Sequence, residues 1–247
     1  MRRTRIVELD AIRAIAVISM VIGHVANYSF LWRATHYAYY VWDGAQLFML
    51  VSGIVVGVVQ HRAHGRHGMR YVSVRLLRRA ALLYVVQVAL VALSIVAYFK
   101  VPSDYTSQFK PKFASTFGQA MRDNLLLGVN PIYVNFLSVY VVLLVLTIPG
   151  IVLLARGRWL VFSTLVVAVY LASQAWPGWF TLPVGPEAGN TLNFGAWSLL
   201  FGSGLLAGWF WHERNIGDWL MRRPVVIVVM SLWLVLLATA TVDALHP

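Results

Sequence analysis

Three ionisable residues, Asp10, Arg13 and His24, lie in an apolar segment that is long enough to cross a membrane. At 3.6 residues per turn, Arg13 and His24 are close to three turns apart on one helix face, roughly 16 Å apart along the axis. Asp10 precedes Arg13 by three residues and can pair with it across one turn. Ionisable groups at membrane depth usually face a bundle interior or a wet cavity. This face is therefore the first candidate for catalysis.

His24 suits the role of a general base, because a neutral imidazole can accept a proton from a hydroxyl near pH 7. The alternative is that His24 packs against a neighbouring helix through a hydrogen bond. Asp10 and Arg13, taken alone, are more typical of a structural pair at the membrane edge. The spacing by itself does not decide between these interpretations.

A group of cations follows at the start of a later apolar segment, where Arg78 and Arg79 lie three and four residues after Arg75. Guanidinium groups side by side suit phosphate, because each can bind it through two hydrogen bonds. The competing interpretation is that they only flank a membrane helix on its positive side.

Three histidines precede these arginines in a segment rich in Gly and Arg: His61, His64 and His67. No carboxylate lies among them, so the spacing does not favour a metal site.

The second apolar segment contains a serine beside a pair of small residues. Gly53 and Gly57 form a small-xxx-small pair, which predicts close helix packing. Ser52 lies next to that pair and is a candidate donor into a cavity. It lacks the surroundings of a G-x-S-x-G nucleophile.

Composition places these residues in a membrane protein. Of 247 residues, 60% are hydrophobic and 12% are charged, against about 45–50% and about 25% in soluble domains. This excludes an ordinary soluble enzyme and a nucleic-acid binder, despite the net charge of +11. The chain has no Cys, which excludes disulfides and thiol chemistry.

The apolar runs are continuous rather than alternating, so they predict helices. We expect an all-α, polytopic transmembrane bundle of about seven helices in a single domain over 1–247. The predicted spans are 11–32, 39–60, 79–99, 132–154, 159–175, 194–211 and 224–242.

The distribution of Lys and Arg predicts the orientation. Fourteen of the 20 fall before the first span or in alternate links, including the basic link 61–78, and five fall on the opposite side. The positive-inside rule then places the N-terminus in the cytoplasm. Residues 100–131 and 174–193 are expected to be polar outer loops.

Taken together, these motifs resemble acyltransferase family 3, the membrane O-acyltransferases of bacterial envelopes. Arg13, ten residues and then His24 resemble the pattern in that family's first membrane helix. The stretch 47–53 is similar to its Phe-Phe-x-x-Ser-Gly element. Arg75-x-x-Arg78 resembles its Arg-x-x-Arg element.

The resemblance is closer to the OpgC branch, named for succinyltransferases of periplasmic glucans, over roughly residues 5–210. Gly23 departs from the branch, which has an aspartate before the histidine. The segments that carry the likeness are 5–13, 78–84, 130–140 and 193–201.

The resemblance implies a multi-pass protein of the bacterial inner membrane, shortened at its C-terminus relative to the family. It implies transfer of an acyl group, with succinyl as a candidate, from acyl-CoA to an envelope glycan or lipid-linked sugar. The expected partners are these substrates and membrane lipid, without a metal or nucleic acid. The predicted roles are catalysis for His24, Arg13 and Asp10, binding of the CoA phosphates for Arg75, Arg78 and Arg79, and lining of the substrate cavity for Ser52 and Asn193.

Two other classes stay open from the sequence alone. A secondary transporter or flippase of a sugar-linked substrate also carries charge on one helix face, although an internal repeat typical of transporters is not visible. An inactive scaffold is compatible with the short chain.

Overall fold

A computed structural model describes residues 6–25, 44–100, 116–129, 131, 135–182, 193–220 and 224. Within these ranges the chain is helical without strands, apart from an isolated antiparallel bridge between Thr181 and Asn193. The all-α prediction is confirmed for this part of the chain. The helices are α1 (Val7–Val25), α2 (Gly44–Lys100), α3 (Phe117–Leu125), α4 (Asn135–Ala155), α5 (Trp159–Ala175), α6 (Phe194–Trp209) and α7 (Ile216–Leu220), with a 3₁₀ turn at Pro177–Trp179.

Two of the described helices, α2 and α4, are long and apolar enough to cross a membrane. Helices α5 and α6 are apolar but have 17 and 16 residues. The predicted span 224–242 lies outside the described residues except at 224, as do the parts of the first two spans between 26 and 43. The seven-helix bundle therefore stays a prediction.

Helix α2 corrects the expectation of a basic link at 61–78. It runs for 57 residues, and its helical geometry is interrupted at Gly68, which has φ 74° and ψ 177°. The non-helical geometry at Gly68 divides α2 into two helical segments, 44–67 and 69–100. The break at Gly68 needs a positive φ, which glycine adopts without a steric penalty.

The described chain separates into two compact units, and each is described by itself. Unit 1 comprises Met1–Arg62 and Leu200–Pro247, and unit 2 comprises Ala63–Leu199. The prediction of a single domain over 1–247 stays a prediction.

In unit 1, α1 and the first part of α2 pack in opposite directions. A methyl group on Gly44, at the start of α2, would lie 2.8 Å from the Ala16 carbonyl oxygen. Towards the other end, Leu9 and Val58 line one cleft. The N-terminal end of α1 therefore lies beside the basic end of this part of α2.

Helices α2 and α6 cross in unit 1 with their backbones in direct contact. A methyl group on Gly53 would overlap the Phe201 carbonyl oxygen, and one on Gly57 would overlap that of Leu205. On α6, a methyl group on Gly204 would overlap the Leu50 carbonyl oxygen of α2, and one on Gly208 would overlap that of Ile54. The predicted small-xxx-small packing is confirmed, and α6 supplies the matching pair. Because the contacts advance together along both helices, these segments run parallel.

In unit 2, α4 and α5 form a hairpin through a three-residue turn. Gly157 has φ 72°, its N–H donates to the Leu154 carbonyl at 2.9 Å, and the Arg158 N–H donates to the Leu153 carbonyl at 2.9 Å. These two hydrogen bonds form a Schellman motif, in which glycine favours the left-handed position.

Residues 100–131, predicted to be a polar outer loop, contain α3. Its N-cap is Thr116, whose side chain accepts a hydrogen bond from the Gln119 N–H at 3.3 Å. Ala120 and Asn124 are its buried residues. The expectation of an irregular loop is therefore wrong over 117–125.

We expect Gly208→Leu to destabilise the protein by about 3 kcal/mol, the upper end for overpacking, because the Ile54 backbone cannot move aside as a side chain would. Gly65→Leu is the matched control, since nothing lies within 4 Å of a methyl group placed on Gly65. Thermal melting of the purified protein in detergent measures the difference. Equal melting temperatures for the two variants would contradict the packing at the crossing.

Candidate functional site

Arg13 is positioned by an aromatic contact between α1 and α2. Its guanidinium carbon lies 5.3 Å from the centre of the Phe48 ring, a distance suited to a cation–π interaction. The buried Nε has no hydrogen-bond partner among the described residues. The predicted pairing of Arg13 with Asp10 stays a prediction.

Asp10 lies on the wall of a cleft that α1 and α2 enclose in unit 1. The cleft has a volume of about 180 Å³, roughly the space of six water molecules at about 30 Å³ each. It combines one carboxylate and one guanidinium with aliphatic walls, and its lining residues are Ile6, Leu9, Asp10, Val55, Val58, Val59 and Arg62. Such a cleft can take a short apolar chain that carries a polar end.

Arg62 connects this cleft to the turn that follows α6. One of its Nη atoms donates a hydrogen bond to Nε2 of His212, which requires a neutral imidazole with its proton on Nδ1. Next to it, His61 Nε2 lies 3.6 Å from the Glu213 carboxylate, and the His61 ring meets Trp209 edge-on at 4.7 Å. The cluster His61–Arg62–His212–Glu213 was not predicted as a unit.

The surroundings of His212 favour its neutral form. Partial burial lowers the pKa of His212, and the neighbouring charges of Arg62 and His61 lower it further. The imidazole thus remains an acceptor for Arg62 near neutral pH.

Ser52 is buried at the glycine crossing. Its side chain is 1% exposed, and its hydroxyl has no hydrogen-bond partner among the described residues. The Ser52 hydroxyl is therefore an unused donor among the described residues. Burying a hydroxyl without a partner costs free energy.

The three arginines at 75–79 divide into two environments in unit 2. Arg79 donates a hydrogen bond from Nη to the Tyr140 hydroxyl at 3.0 Å, and its guanidinium carbon lies 5.7 Å from that ring's centre. Arg75 and Arg78 are exposed. Arg79 is thus anchored to α4, whereas the other two present their guanidinium groups to the surroundings.

Asn193 holds helix ends together in unit 2. Its Oδ1 accepts the Ala196 N–H at 3.0 Å as the N-cap of α6, and its Nδ2 donates to the Ser173 carbonyl at 3.0 Å. Oδ1 and one of the two N–H groups of Nδ2 are thus engaged, which fixes the amide between the two helix ends.

His24 belongs to the last turns of α1, but its side chain lies outside the described residues. The histidines of the basic segment do not gather around a shared point in the described chain. His61 contacts Glu213, and the His67 ring lies 4.6 Å from that of Tyr71.

Comparison of the sequence with known protein families shows the family of the chain. The family model described as "OpgC protein" matches residues 5–246, nearly the whole chain. The chain belongs to the OpgC family. The wider likeness to acyltransferase family 3 stays a prediction. No curated protein and no solved structure matches the chain.

OpgC membership suggests a glucan-modifying transferase that is associated with a membrane. The match includes α1, the cleft and the arginines at 75–79.

We expect the stability of the protein to fall as the pH drops below about 6.5. His212 has a lowered pKa when folded, so the unfolded chain binds its proton more readily and acid favours unfolding. His212→Gln should remove part of the fall in melting temperature between about pH 8 and about pH 5, because the amide oxygen accepts from Arg62 without titrating.

His67→Gln is the control for this experiment and should keep the pH response of the unmodified protein. A His212→Gln variant with that same response would show that His212 does not contribute to acid sensitivity.

Proposed function

We propose that this OpgC protein is a multi-pass membrane O-acyltransferase. It moves an acyl group, with succinyl as the first candidate, from cytoplasmic acyl-CoA to a hydroxyl of an envelope glucan or lipid-linked sugar. The observation that carries the proposal is the family match over 5–246. The membrane is the bacterial inner membrane. The N-terminus lies on the cytoplasmic side, which the distribution of Lys and Arg favours.

Arg75 and Arg78 bind the CoA phosphates in this proposal. They are exposed, lie one helical turn apart and have fixed positive charge. Arg79 is also assigned to the phosphate site. Its hydrogen bond to Tyr140 joins α2 to α4 beside that site. Two exposed guanidinium groups and one anchored one are well suited to hold a flexible polyphosphate.

The cleft of unit 1 supports the choice of donor. The cleft lies at the Asp10 end of α1, about 21 Å along the helix axis from His24. Its aliphatic wall suits the arm of CoA on its way to His24, and Arg62 provides a positive charge beside that path. Asp10 on the same wall balances this charge while the cleft is empty of substrate.

The chemical step is assigned to α1. His24 accepts the proton of the acceptor hydroxyl as that oxygen attacks the thioester carbonyl carbon. The C–O bond forms, the C–S bond breaks, and the CoA thiolate leaves and takes up a proton. Arg13, held over Phe48 about 16 Å along α1 from His24, supplies positive charge at the polar end of the cavity. Ser52 is the candidate donor to the oxyanion, because its hydroxyl has no partner among the described residues.

The purified protein should transfer labelled succinyl from succinyl-CoA to a glucan. Arg75→Gln combined with Arg78→Gln should weaken acyl-CoA binding by about tenfold for each arginine, roughly 1.4 kcal/mol each, and this loss should shrink at high salt. Isothermal titration with succinyl-CoA measures the affinity.

Arg156→Gln combined with Arg158→Gln is the matched control. It removes the same charge at exposed positions of the α4–α5 turn. Equal affinities for both double variants would reject the phosphate site, and glucan that remains unlabelled by the wild-type protein would reject the acyltransferase.

A further inference from the structure

Helix α3 folds back along the second half of α2 within unit 2. The rings of Phe99 and Phe117 lie 5.7 Å apart near the end of α2. The Tyr84 hydroxyl donates to the Leu125 carbonyl at 2.6 Å. Later residues of α3 contact earlier residues of α2, so the two helices are antiparallel. α3 therefore runs from the Lys100 end of α2 back towards Tyr84.

The apolar side of α3 is packed on the same helix. Val91 and Ile95 of α2 form a buried cluster with Ala120 and Val129. Asn124 is 1% exposed, and its Nδ2 donates to the Val88 carbonyl at 2.9 Å. α3 is thus attached along its length rather than at one end.

This packing determines the depth of α3 in the membrane. Val88 precedes Lys100 by twelve residues, which corresponds to about 18 Å along the helix. The hydrocarbon core is about 30 Å thick. With Lys100 at the outer surface, as the proposed orientation requires, Asn124 lies near the middle of the bilayer. α3 is then a re-entrant helix that enters from the outer side.

Two charged side chains are carried to that depth. Arg122 Nε lies 3.5 Å from Asp123 Oδ1, and the two side chains are 72% and 39% exposed. Beside them, the buried Oδ1 of Asn124 has no hydrogen-bond partner among the described residues. Charged residues within a membrane face a water-filled cavity or a protein interior and mark substrate paths, and irregular backbone is tolerated at this depth only in the same places.

The local structure of α3 does not account for the pair. Asp123 is in the last turn, where a negative charge is unfavourable to the helix dipole. A solvated ion pair of this kind contributes about 0–1 kcal/mol to stability.

We infer that Arg122 and Asp123, at the end of the re-entrant helix α3, bind the hydroxyl groups of a neutral saccharide that arrives from the outer side of the membrane. The carboxylate accepts hydrogen bonds from hydroxyls and the guanidinium donates to their oxygens. The inference rests on the proposed function and adds to it the side from which the acceptor is bound. Both residues position the acceptor and are not catalytic.

The test uses the full-length protein in detergent with a glucose pentasaccharide as the acceptor probe. Asp123→Asn and Arg122→Gln should each raise the KM for the saccharide by about tenfold, the loss of one charge-assisted contact. The affinity for succinyl-CoA and the rate of its hydrolysis without saccharide should stay unchanged. Asp123→Glu, which keeps the carboxylate, should recover part of the loss.

The matched controls are Asp218→Asn and Arg158→Gln, which change exposed residues of α7 and of the α4–α5 turn. If Asp123→Asn and Arg122→Gln have the same saccharide KM as the controls, the inference is overturned. Succinyl transfer by the wild-type protein would still support the proposed function in that case.

Direct titration of the saccharide into the protein tests the saccharide site even if the proposed function fails. If the wild-type protein neither binds nor uses succinyl-CoA, the proposed function fails. Saccharide affinity lowered by Asp123→Asn would still support the site, and unchanged affinity would reject it.

Discussion

The contact between the backbones of α2 and α6 is the constraint on which the arrangement of unit 1 depends. In a membrane, helices gain little from the hydrophobic effect against one another, so close approach and dispersion contacts provide the cohesion. Gly53 and Gly57 on one side, with Gly204 and Gly208 on the other, remove the side chains that would separate the helices. Because the two segments run parallel, their basic ends emerge together, and Arg62 reaches His212 there.

Charge is distributed around this framework in a consistent way. In unit 1, Arg13 is held by an aromatic ring and Asp10 faces an aliphatic cleft. In unit 2, Arg79 is fixed on Tyr140, and α3 carries its own ion pair. Each of these ionisable groups has a contact that orients it, as expected where burial of charge is costly. Within this pattern, the exposed Arg75 and Arg78 are suited to bind a ligand.

The sequence predicts the part of this structure that follows from short-range patterns. The Gly53–Gly57 spacing indicates helix packing, and the same spacing at Gly204–Gly208 could have identified the partner helix. The bounds of α5 match the predicted span because uninterrupted apolar residues define it. Residues 61–78 are helical on both sides of Gly68, since Arg and Ala are good helix formers. The predicted division between two helices lies within this segment, but it is confined to one residue and is not a long link.

Contacts between distant segments could not be predicted. The contact of Arg13 with Phe48 joins residues that are 35 positions apart, and no local rule indicates it. α3 has nine residues and a mixed composition, so its amphipathic pattern is too short to separate it from a loop. Asn193 is also the N-cap of α6, a role that its position before an apolar run could have indicated.

The most direct test of the acyl-transfer account is mass spectrometry of envelope glycans from cells with and without the gene, and from deletion cells that carry wild-type or His24→Ala protein. The account predicts that an acyl mass increment disappears on deletion, returns with the wild-type protein and stays absent with His24→Ala, although the variant inserts into the membrane at the same level. Glycans with the same masses in all four strains would contradict it.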